Sequence, residues 1–108
     1  MNKLHYSPEA KNDLVKIGEY IAAELANPTA ATNVVSKITK RIRELEKFAE
    51  IGAPLSSIIN VDTDYRFLVC GNYIVFYRTA ANNVWIGRVL YGKRDYLSIL
   101  FGNLPDET

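Results

Sequence analysis

The chain has 108 residues, 48% of them hydrophobic, and 13 Lys/Arg against 12 Asp/Glu give a formal net charge of +1. That composition describes one domain with a modest core, and it argues against wholesale disorder. One cysteine, Cys70, excludes an internal disulfide; one histidine, His5, leaves too few ligands for a zinc or iron site; and no apolar run reaches the ~18–20 residues of a membrane span.

Asn2 to Tyr6 alternates like a short strand and lacks the apolar stretch of an export signal, so the cytoplasm is the expected compartment. Ser7-Pro8 supplies a capping hydroxyl and a proline at the first helical position, where its missing N–H costs nothing. Leu14, Ile17, Ile21 and Leu25 then fall on one helix face. Asn27-Pro28 repeats the cap signal and stops the first helix near Ala26. The second helix is predicted from Pro28 to about Ala49, with Val35, Ile38, Ile42, Leu45 and Phe48 facing inward. So short a connection makes the two helices an antiparallel hairpin.

Ile51 to Asn60 carries Gly52, Pro54, Ser56 and Ser57 and reads as a loop. Beyond it the pattern turns extended. Tyr65–Cys70, Tyr73–Thr79 and Val84–Tyr91 are rich in aromatic and β-branched residues and predict three strands in a meander. Gly71-Asn72 makes a two-residue hairpin turn, and Ala80 to Asn83 a looser one. Arg94 to Phe101 predicts a short helix stopped by Gly102, and Asn103–Thr108 a flexible tail after a single domain of residues 1–102. The order β-α-α-β-β-β-α is an α+β fold, with the helical hairpin on one face of a small antiparallel sheet and the other face left to solvent or a partner.

Charge is uneven. Residues 1–64 hold eight bases and nine acids, whereas residues 65–94 hold Arg66, Arg78, Arg88, Lys93 and Arg94 and no acid. These bases interleave with Tyr65, Tyr73, Tyr77, Trp85, Tyr91 and Tyr96. Guanidinium groups with aromatic rings suit phosphate and unpaired bases, and equally suit a protein interface. His5 and Cys70 read as structural, with no partner for nucleophilic chemistry, and the isolated glycines form no phosphate loop. No cofactor, metal, membrane or small-molecule substrate is implied.

The chain resembles the RelE/ParE superfamily, the toxin halves of type II toxin–antitoxin modules. The likeness rests on Tyr6-Ser7-Pro8-Glu9-Ala10 with Asp13-Leu14, on the Asn27-Pro28 junction with Ala30-Ala31, on Asn72 to Arg78, and on Arg88 to Asp95. It implies a growth-arresting toxin silenced by a cognate antitoxin laid along its grooves. RelE-like members cut messenger RNA in the ribosomal A site; ParE-like members block DNA gyrase. RNA cleavage needs a base, an acid and cations. Where RelE-like members carry an arginine inside the strand and a tyrosine or histidine near the C-terminus, this chain has Ile74 and a residue near Leu100. Only Arg94 fits, with Tyr96 and Asp95 as the nearest titratable substitutes; if the chain is a nuclease, the catalytic candidates are Arg94, Tyr96 and Lys93. The resemblance therefore favours the ParE-like branch, with RelE-like RNA cleavage as the alternative. The expected target-binding surface is Arg88, Tyr91, Lys93, Arg94 and Tyr96, with Arg66 and Arg78 in second rank, since either could pair with Asp62 or Asp64 as a structural salt bridge. The expected antitoxin contacts are Leu97, Leu100 and Phe101.

Overall fold

The computed structural model describes residues 1–102; the expected tail, residues 103–108, lies outside the described residues. The elements are β1 (Lys3–Tyr6), α1 (Pro8–Leu25), α2 (Pro28–Arg43), a two-residue β2 (Ala53–Pro54), β3 (Arg66–Cys70), β4 (Tyr73–Ala80), β5 (Asn83–Tyr91) and α3 (Tyr96–Phe101). Both long helices start as the caps dictate. The Ser7 hydroxyl accepts from the Ala10 N–H at 2.9 Å, and the Asn27 amide oxygen accepts from the Ala30 N–H at 3.2 Å. A short 3-10 turn, Glu44–Glu46, takes over from α2, so that helix is shorter than its apolar pattern predicts. Phe48 and Leu25, expected inside, are exposed.

The five strands form one mixed sheet in the order β1-β5-β4-β3-β2. β2 to β5 are an antiparallel meander, but β1 lies parallel to β5. The sheet is therefore not purely antiparallel. A parallel neighbour requires a long crossover, which the α1–α2 hairpin supplies. The β4–β5 turn is also tighter than expected. Ala80 pairs with Asn83, and Ala81 takes the left-handed φ of 53° that a two-residue turn requires.

Two apolar clusters flank the sheet. Ile17, Ile21, Ile38 and Ile42 of the helices pack on Leu68, Val75, Val84, Ile86 and Val89. On the opposite face Leu55, Phe76 and Leu90 are covered by α3, through Tyr96, Ile99, Leu100 and Phe101. That face is thus partly occupied from within the chain, where the sequence suggested solvent or a partner. Six residues of helix suffice because Tyr96 packs its ring 5.2 Å from that of Phe76 and Phe101 meets Tyr65 edge-on at 5.9 Å.

Candidate functional site

The start of α1 is stitched to β5. The Ser7 N–H reaches the Ile86 carbonyl at 3.0 Å and the Ser7 hydroxyl donates to the Gly87 carbonyl at 2.7 Å. Further along α1, Asp13 sits in the buried stripe with Ala10, Ile17 and Ile21, only 7% exposed. Its carboxylate accepts from the Val89 N–H at 2.9 Å and from Nε and Nη2 of Arg88, each at 2.8 Å. A buried carboxylate is tolerable only when paired and hydrogen-bonded in this way. The same bond raises the Arg88 guanidinium above its ordinary pKa, against the opposing effect of burial.

This pairing bears on the expected target surface. Arg88 is fixed to Asp13 and is not a free cation among Lys93, Arg94, Tyr91 and Tyr96. Arg66 is also occupied: Nε and Nη2 donate to the Gly52 carbonyl at 3.0 and 2.7 Å, and Nη2 also donates to the Glu50 carbonyl at 3.1 Å. The Tyr77 hydroxyl holds the same loop, donating to Ala49 and accepting from the Gly52 N–H. A Cβ on Gly52 would lie 2.6 Å from that hydroxyl and from the Phe67 carbonyl, so only glycine fits. Arg78 pairs with Asp64 at 2.9 Å and lies 4.0 Å over the Tyr65 ring. Tyr96 is turned onto Phe76. Leu97 is half-buried, and Leu100 and Phe101 pack on the sheet.

Of the expected residues, the structure brings Tyr91 and Arg94 together. Both line a groove of about 770 Å³ between the α1–α2 hairpin and the β3–β4 turn. Its apolar walls include Ile17, Ile21, Val34, Ile38 and Val89. Lys16, Lys37 and Arg94 line it as well, against one carboxylate, Asp13, already committed to Arg88. Tyr20, Tyr73 and Tyr91 contribute rings, the last two meeting edge-on at 5.9 Å. Lys16 of α1 and Lys37 of α2 lie far apart in sequence. Their role emerges only when two helices and a hairpin turn converge.

The groove offers adhesion more readily than proton transfer. The Tyr73 phenol is pushed above its ordinary range, first by burial and then by the neighbouring Tyr20 and Tyr91. Burial likewise raises the Cys70 thiol, which also lines the groove. A general base at neutral pH needs the opposite displacement. Ile74 and Leu100, at the two positions where an arginine and a proton-carrying residue were sought, pack in the second apolar cluster.

No described helix is long and apolar enough to cross a membrane. The sequence matches the family described as ParE toxin of type II toxin-antitoxin system, parDE, over residues 4–96. A solved structure described as the chromosomal ParDE TA system from P. aeruginosa is similar in fold. Its TM-score is 0.71 at 22% identity, covering 84% of this chain and 96% of that one. No curated protein matches the sequence.

Proposed function

This chain belongs to the ParE toxin family of type II toxin–antitoxin systems, and from that premise we propose that it arrests growth by binding a target protein, DNA gyrase. A cognate antitoxin silences it by filling the groove beside α1 and α2. The observation that carries this reading is the groove itself: apolar walls, three cations, and a phenol and a thiol displaced away from base chemistry. An amphipathic segment with an apolar stripe and acidic flanks is its complement. Arg94 and Tyr91 line the groove and, with the exposed Lys93, form the target-binding surface, so an antitoxin in the groove covers groups the target needs. Neutralisation is then competition for one surface.

Purified chain should inhibit gyrase supercoiling in vitro and leave ribosome-bound messages intact. Arg94→Glu should weaken that inhibition about tenfold or more, because a reversed charge at an interface repels its former partner, with the circular dichroism unchanged. New 5′ ends within A-site codons, lost on changing Arg94 or Tyr96, would overturn the reading in favour of RNA cleavage.

A further inference from the structure

We propose that the sheet face opposite α1 and α2 binds a nucleotide unit, with its base stacked on Trp85 and its phosphate held by Arg78. Strand register puts the parts in line. Trp85 of β5 lies directly across from Arg78 of β4 on one side and from His5 of β1 on the other. Tyr65, just ahead of β3, lies beneath the Arg78 guanidinium. Residues directly opposite across a sheet share a face. Tyr65, Arg78, Trp85 and His5 therefore form one row about 14 Å long, at ~4.8 Å per strand step.

The row is organised before any ligand arrives. His5 stacks beneath Trp85 with centroids 5.4 Å apart and planes 17° off parallel, and its Nε2 meets Asn83 Oδ1 at 2.9 Å. Trp85 nonetheless remains 42% exposed. Beside the row is a hollow of about 410 Å³, walled in part by Ile99 and Leu100 of α3. Gly87 keeps it open: a Cβ there would stand 3.3 Å from the Tyr65 ring. Gly87 is the unpaired residue where the β4–β5 register slips, between the Phe76–Arg88 and Tyr77–Ile86 pairs.

The chemistry selects the occupant. An exposed indole backed by a second ring attracts a flat π system such as a base. A guanidinium is the side chain best matched to phosphate. Its present partner, Asp64, is exposed, and a surface pair of that kind is weak enough for a phosphate to displace. The hollow has the size of a small-ligand site. Glu9 also lines it and disfavours ligands with several phosphates, leaving a single phosphate or a diester as the fit. The site is on the other face of the sheet from the groove, so its fate is independent of the gyrase reading.

Trp85 is the chain's one tryptophan, so its fluorescence reports this site directly. Titrating the full chain with adenosine 5′-monophosphate should give saturable quenching, with adenosine alone and inorganic phosphate each weaker by about tenfold. Arg78→Gln should weaken the monophosphate about tenfold, and Asp64→Asn, which releases Arg78, should tighten it. A 5′-phosphorylated deoxyadenosine pentanucleotide separates two sources of the same chemistry. Tighter, salt-sensitive binding of the pentamer identifies single-stranded nucleic acid, and equal binding identifies free nucleotide. Absence of saturable quenching by both ligands, or quenching indifferent to both substitutions, overturns the proposal.

Discussion

At the residue scale the decisive pair is Asp13 and Arg88. Asp13→Ala should cost about 3 kcal/mol or more in urea unfolding, since it leaves a guanidinium that is largely covered, and the Val89 N–H, without their acceptor. Asp13→Leu combined with Arg88→Met should cost less than the two single changes added together, because the pair is removed as a unit. An additive result would show that the two residues act separately. Neither partner's role was legible in the sequence. Asp13 occupies a stripe position between Ala10 and Ile17, where a local reading passes to Leu14, and its partner lies 75 residues away. The run of bases without acids is answered by acids outside it: Asp13 of α1 for Arg88, far away in sequence, and Asp64, the residue just before the run and readable there as a partner, for Arg78. Arg94 lines the groove with Tyr91.

At the scale of elements, local chemistry was readable and long-range assembly was not. Both helix starts, the hairpin at Gly71-Asn72 and the three meander strands follow from neighbours in sequence. The parallel placement of β1 and the docking of α3 on the second face depend on which surfaces remain uncovered after collapse, and no periodicity encodes that. Ser7 joins the two levels, because its hydroxyl both caps α1 and donates to β5. Ser7→Ala should therefore cost about 1–2 kcal/mol, toward the upper end of the cap range, and hydrogen exchange at the Ala10 amide should accelerate with it. An unchanged melting temperature would mean that the cap is redundant here.

At the scale of the whole molecule, two tyrosines set an alkaline limit. Burial raises the Tyr6 and Tyr73 phenols above the unperturbed value of 10.0. Folding thus disfavours their ionisation, and the unfolded chain gives up these protons first. Their contribution to stability is complete below about pH 10 and is lost as the pH climbs through the raised values. The urea midpoint should begin to fall near pH 9.0, where the Cys70 thiol, also raised by burial, first contributes, and then fall further above 10.0, more steeply than in Tyr6→Phe. The sheet order carries a further consequence for synthesis. Among the described strands, β1, which comes first in the chain, lies against β5, which comes after all the others and is also flanked by β4. During translation the opening segment waits without its hydrogen-bonding neighbour until some ninety residues have been joined. A fragment that stops short of β5 leaves the β1 edge unpaired, so this sheet closes only once β5 is available.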